Sequence, residues 1–92
     1  MKIIWSNQAK ISYEKTIDFI LENWTPDIAT DFENRTNRLL DNLKKHAKLC
    51  PLSKKKNLRK CVIHKNTSLI YIIYKSYIGL VTFVDNRSDS NY

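Results

Sequence analysis

The chain of 92 residues has room for one domain, residues 1–92, and its 42% hydrophobic and 27% charged residues strike a globular balance that argues against disorder. Sixteen lysines and arginines stand against nine acids, a formal net charge of +7, which favours an anionic partner such as nucleic acid, an acidic protein or an anionic membrane surface. A single glycine, Gly79, excludes the glycine-rich phosphate cradles, and no apolar run approaches the roughly 20 residues that span a bilayer.

"KIIW" (Lys2 to Trp5) reads as a short first strand. Ser6 can cap a helix by accepting a first-turn N–H. Tyr13, Ile17, Ile20, Leu21 and Trp24 then follow helical spacing and predict one apolar stripe. Thr25-Pro26-Asp27 both stops that helix and starts the next: proline suits the first helical position, and Asp27 suits the positive end of the dipole. The second helix is expected to bury Ile28, Phe32, Leu39, Leu40, Leu43 and Ala47, with Lys44, Lys45, His46 and Lys48 at its negative end and Pro51 closing the segment. With almost no loop between them, the two helices should form an antiparallel hairpin.

From Leu58 the pattern becomes β. "LRKCVIH" is a strand, Asn66 to Ser68 a turn, "LIYIIYK" a central strand and "IGLVTFVD" the last. The order β-α-α-β-β-β predicts an α+β fold, with the helical hairpin on one face of a small, mostly antiparallel sheet. In the central strand Ile70, Ile72 and Tyr74 point away from Leu69, Tyr71 and Ile73. Helices cover only one face, so the other is expected to expose an apolar patch fit for a partner. "NRSDSNY" reads as a polar tail.

Charge is unevenly spread. Between Asn42 and Val84 stand ten cations (Lys44, Lys45, Lys48, Lys54, Lys55, Lys56, Arg59, Lys60, Lys65 and Lys75) and no acid, whereas seven of the nine acids lie between Glu14 and Asp41. Solubility alone does not require such segregation. Cys50 and Cys61 are the only cysteines. With no signal peptide apparent before Trp5, they are expected to be free thiols in a reducing cytoplasm. His46, Cys50, Cys61 and His64 hint at a metal set. Residues three apart on a strand point to opposite faces, however, so Cys61 and His64 cannot converge, and no metal is expected.

Nucleophilic hydrolysis has no motif to support it. Metal-free phosphodiester chemistry is better served: cations can bind backbone phosphates and stabilise transition-state charge, and a further group can exchange a proton with a ribose 2′-hydroxyl. The groups available are Lys54, Lys55, Lys56, Arg59, His64, Arg87 and Tyr92, with Lys60 beside them. A plain nucleic-acid-binding module is a rival reading of the same charge.

The hairpin "SNQAKISYEKTIDFILENWTPDIATDFENRTNRLLDNL", the basic "LSKKKNLRKCVI" and the closing "YIIYKSYIGLVTFVDNR" together resemble the RelE/ParE toxin superfamily of bacterial type II toxin–antitoxin systems. The last strand followed by Asp85, Asn86 and Arg87 looks like the ParE-type subgroup often labelled plasmid stabilisation proteins. The resemblance implies a cytoplasmic toxin without cofactor, held by a cognate antitoxin in a hetero-oligomer and not by a membrane. ParE-like members poison DNA gyrase and are not enzymes. The long helices meeting at Trp24 and Pro26 favour that branch. RelE-like members cut mRNA in the ribosome. For them the resemblance implies Lys54 to Lys56 and Arg59 on phosphate, Arg87 on transition-state charge and Tyr92 as proton acceptor, with Asp85 and Asp89 flanking Arg87. Target contact is assigned to Lys54, Lys55, Lys56, Arg59, Lys60 and Arg87, and antitoxin contact to Ile70, Ile72, Tyr74 and Lys65.

Overall fold

The computed structural model describes residues 1–87 and 91–92. Its elements are β1 (Lys2–Trp5), α1 (Asn7–Asn23), α2 (Pro26–Lys45), β2 (Leu58–His64), β3 (Thr67–Ile73) and β4 (Tyr77–Asp85). The sheet runs β1-β4-β3-β2. β1 lies parallel to β4, and the other pairs are antiparallel. The α+β order expected from the sequence is therefore the order found.

Both helix starts follow from local chemistry. The Ser6 hydroxyl accepts the Ala9 N–H at 2.9 Å, and Thr25 accepts that of Ile28 at 3.4 Å, with Pro26 in the first turn. The core lies between the helices and one face of the sheet, and includes Phe32, Leu40, Leu43, Leu69, Tyr71, Ile78, Leu80 and Phe83. Trp5, Tyr13, Phe32 and Phe83 meet there ring against ring, Tyr13 to Phe83 at 5.1 Å.

The α1 stripe differs from the expectation at one side. Leu21 is 47% exposed and Trp24 41% exposed, while Ala9 and Ser12 are buried. The reason lies in β4. Its register against β3 shifts between Ile70 and Tyr71, which places Val81 in a bulge and leaves backbone groups unpaired in the sheet. α1 supplies their partners. The Ser6 hydroxyl donates to the Val81 carbonyl at 2.9 Å, and Ser12 Oγ accepts the Phe83 N–H at 2.9 Å. Small polar residues must therefore face β4, and the stripe rotates to bring them there. The β2–β3 turn is also tighter than expected. Thr67 and Ser68 already belong to β3, and the buried Ser68 hydroxyl donates to Asn86 Oδ1 at 2.7 Å. β3 ends at Ile73, before Lys75.

The largest correction concerns the cysteines, which are joined to each other and are not free thiols. Residues 51–53 fold back on the start of β2. Leu52 bridges Arg59, the Lys60 N–H donates to the Pro51 carbonyl at 3.1 Å, and the Ser53 N–H donates to the Leu58 carbonyl at 2.8 Å. Carrying that antiparallel register outward places Cys50 opposite Cys61, with Cα atoms 5.3 Å apart. The basic block is thus a hairpin. Its tip is Lys54 to Asn57, and Asn57 takes the left-handed backbone conformation, φ 66°, that asparagine tolerates.

Two stability predictions follow from these contacts. Ser12→Ala strands the buried Phe83 N–H, so urea denaturation should show a loss of about 1–3 kcal/mol. A disulfide closing a loop of this length stabilises by about 3 kcal/mol. The double variant Cys50→Ser/Cys61→Ser should therefore unfold at lower urea, and reduction should add two hydrogens to the intact mass of the wild-type chain. A mass unchanged by reductant would show the thiols to be free.

Candidate functional site

Charge divides between the layers. The two helices hold seven acids and six cations, and the remainder of the chain holds ten cations and two acids. One of those acids, Asp89, lies outside the described residues. Lys54, Lys55 and Lys56 are exposed on the hairpin tip. Lys60 pairs with Ile70 and so shares its face of the sheet, the rear, opposite the helices. Lys65 is exposed in the β2–β3 turn.

The two arginines do not meet. Arg59 pairs with Tyr71 on the helix side, and its Nη1 donates to the Cys50 carbonyl at 2.7 Å. The fully buried Tyr71 phenol closes the same knot: it donates to the Ala47 carbonyl at 2.7 Å and accepts the Cys50 N–H at 3.4 Å. Burial pushes this phenol above its ordinary pKa, so it remains a donor. Arg59 is therefore occupied in tying the hairpin to the sheet.

Arg87 follows β4 at the other end. Its Nε and Nη2 donate to the two Asp85 carboxylate oxygens at 3.1 and 2.9 Å, and its N–H donates to one of them at 2.8 Å. The Arg87 hydrogen bonds hold the Asp85 carboxyl below the usual carboxylate range. The pair is intact at neutral pH and loosens only as acid protonates Asp85. Asp85 pairs with Thr67, four residues along β3 from Tyr71, so the Arg59 and Arg87 ends are roughly 13 Å apart along the strand. Arg87, Lys15, His64, Phe19 and Trp24 line a cavity of about 280 Å³ beside α1.

Tyr92 is better anchored than a fraying tail would be. Its carbonyl accepts the Lys54 N–H at 3.1 Å, and Lys55 Nζ sits 4.6 Å from its ring centroid, a cation–π contact. It also lines a depression with Gln8, Val81, Thr82 and Val84. Tyr92 thus touches the hairpin tip and lines a depression along β4. On β3, Ile70 is 0% exposed and stands apart from the helix-side core.

The apolar surface expected on the rear face is covered only in part. Ile70 is covered, Ile72 is half-buried and Tyr74 is exposed. What stays open is a trough of about 490 Å³ at the β1 side, lined by Ile4, Ile72, Tyr74, Tyr77, Gly79 and Val81. Sequence reasoning missed Ile4, Tyr77 and Gly79. The only signal for them was the lone glycine inside a β pattern, which marks a close approach of other groups. Here that group is the Tyr74 ring: a Cβ on Gly79 would lie 2.8 Å from Tyr74 Cε2.

No protein-family model and no curated protein matches the sequence. Solved structures do match in shape. The chromosomal ParDE toxin–antitoxin system from P. aeruginosa superposes with a TM-score of 0.77 at 12% identity, over 92% of this chain and 95% of that one. A YoeB/ParE toxin from Agrobacterium tumefaciens gives 0.69 at 15% identity, over 92% and 98%. A chain of a YoeB–YefM complex from Staphylococcus aureus gives 0.63 at 16% identity, over 91% and 94%. The superposition runs over nearly the full length of each chain, and the chain has the fold of the ParE and YoeB toxins.

Proposed function

We propose that this chain is the toxin of a type II toxin–antitoxin pair, a ParE-like growth inhibitor that acts on DNA gyrase and is neutralised by a cognate antitoxin. The fold supports the toxin reading. The observation that carries the ParE-like part is the scatter of the groups that RNA cleavage would use. A 2′-hydroxyl attack needs a base, a phosphate clamp and a charge stabiliser within reach of one phosphodiester. Arg59 is spent on the Cys50 carbonyl, Arg87 on Asp85, and Tyr92 lies under Lys55. Binding through shape and charge demands no such convergence.

One observation favours a second reading. Tyr92 and the lysine tip are in contact, the juxtaposition that a metal-free, ribosome-dependent mRNA endonuclease would use with Tyr92 as proton acceptor. Either target is cytoplasmic. Among the described residues no helix is long and apolar enough to cross a membrane. In such a compartment the Cys50–Cys61 bond meets thiol reductants, and the burial of both sulfur-bearing residues hinders exchange.

Induced in a bacterium without its partner gene, the chain should arrest growth, and the purified protein should inhibit gyrase supercoiling in proportion to its concentration. Added to translating ribosomes, it should create no new mRNA ends. Ribosome-dependent cuts that vanish in Arg87→Ala or Tyr92→Phe would overturn the gyrase reading in favour of the nuclease. Normal growth under strong expression would overturn both.

A further inference from the structure

The Cys50–Cys61 bond joins the two arms of the basic hairpin at its base, and the outer arm has little else to hold it. From Pro51 to Asn57 every residue is exposed except the half-buried Ser53, and Leu52 stands 65% open to solvent. Pro51 has no N–H to donate. Two backbone bonds cross between the arms, from the Lys60 N–H to the Pro51 carbonyl and from the Ser53 N–H to the Leu58 carbonyl. Bonds of this kind contribute little net stability where water competes, and a two-stranded ribbon is marginal by itself. Lys54, Lys55, Lys56, Arg59 and Lys60 crowd the same hairpin with no acid among them, and their mutual repulsion favours opening.

The remaining anchors lie at the ends of the segment. Tyr71 and Arg59 hold Ala47 and Cys50, and the Tyr92 carbonyl accepts the Lys54 N–H. These are hydrogen bonds, which open and re-form thermally. The disulfide is the cross-link that keeps an opening at Cys50 from running on into the arm. Cys61 itself stays paired with Leu69 in the sheet, so the cross-link can be cut without unpicking the domain.

We propose that the Cys50–Cys61 pair is a redox switch on the basic hairpin. Oxidised, it clamps residues 50–57 against β2. Reduced, it lets that segment open and separates the lysine tip from Tyr92. The step is thiol–disulfide exchange with a dithiol reductant. One thiolate of the dithiol attacks the sulfur of Cys50, the less buried partner at 9% against 2% for Cys61, and expels the Cys61 thiolate. The second thiol then attacks the mixed disulfide, leaves as a cyclic disulfide and frees Cys50. The dithiol loses two electrons and two protons, and the cysteines gain them. Only the oxidised hairpin presents its lysines as a fixed group, so binding through them is stronger in that state. This consequence for the target rests on the toxin reading, whereas the opening of the hairpin rests on the disulfide alone.

The test follows amide hydrogen exchange by NMR in the full chain, oxidised or reduced by dithiothreitol, with intact mass confirming each state. Reduction should speed exchange of the Ser53 and Lys60 amides by about tenfold or more. In the reduced chain that exchange should respond weakly to urea, because a local opening exposes little surface, while exchange at Leu69 should rise steeply with it. Cys50→Ser/Cys61→Ser should behave as the reduced chain with or without dithiothreitol. Gyrase inhibition should be several-fold weaker for the reduced chain than for the oxidised one. Equal hairpin exchange in the two states overturns the switch, whatever the chain does to gyrase. So does a loss of protection at Leu69 equal to that at Ser53, which would make the bond a staple of the whole fold. A redox-sensitive hairpin in a chain that does not arrest growth refutes the toxin reading and leaves the switch standing. A redox-sensitive hairpin with unchanged gyrase inhibition refutes its coupling to the target.

Discussion

The buried Tyr71 phenol is the constraint on which the basic end of the molecule depends. The chain leaves α2 at Lys45 and re-enters the sheet at Leu58. Between those points it has no helix or strand of its own to fix its course. Tyr71 grips it from below at the Ala47 carbonyl and the Cys50 N–H, and Arg59 takes the Cys50 carbonyl. Removing the phenol would leave the buried Cys50 N–H and the partly buried Ala47 carbonyl short of a partner, the costly side of hydrogen-bond energetics. With Cys50 held, the register of residues 51–53 against Leu58–Lys60 is set, and the lysine tip must project from the edge of the sheet. The disulfide lies at the base of that hairpin and reinforces a geometry that Tyr71 and Arg59 already impose.

This arrangement changes what the cations mean. A dense basic run suggests many hands on one phosphate chain. In the folded molecule the Arg59 and Arg87 guanidinium groups are committed to acceptors of the chain itself, and the lysines of the hairpin tip remain on the exterior. Arginine suits the first task, because its rigid fork fixes a carbonyl or carboxylate in direction as well as distance. Lysine suits the second, as a mobile point charge on a flexible stem. The positive field of the sheet side therefore comes mostly from lysines around the hairpin and the trough, and it acts through long-range attraction more than through aimed contacts.

Much of the fold was legible in the sequence because its signals are local. Ser6, Thr25 and Pro26 mark helix starts through bonds within one turn, and the β-branched run from Leu69 to Ile73 declares a strand. The rest depended on register, which no short window contains. Pairing Cys50 with Cys61 requires knowing that Leu52 faces Arg59. The exposure of Leu21 and Trp24 requires knowing that β4 bulges at Val81 and claims Ser6 and Ser12. The anchoring of Tyr92 requires knowing that it returns to Lys54, a contact between residues far apart in the chain. Charge segregation was legible in full, since an acid-free sequence segment yields an acid-poor surface wherever it folds. The roles of Arg59 and Arg87 were not, since a guanidinium group is equally at home on a phosphate, a carbonyl or an aspartate.

The place of the single glycine brings these strands together. A glycine inside a strand costs stability, by roughly 0.5–1 kcal/mol relative to alanine, through the freedom it loses on folding. Gly79 sits in the middle of the sheet, between Ile4 and Ile72, with backbone angles that any residue accepts. Turn geometry therefore does not account for it. Space does: a methyl group there would meet the Tyr74 ring at 2.8 Å and the Ile72 side chain at 3.4 Å. The edge of the ring closes over the glycine, its face stacked on Tyr77, and together they give the trough its wall. Were Gly79 an alanine, Tyr74 would have to swing outward, and the floor between Ile4 and Ile72 would fill. The sheet thus carries its weakest strand residue at the point where its rear face opens into a concave apolar surface.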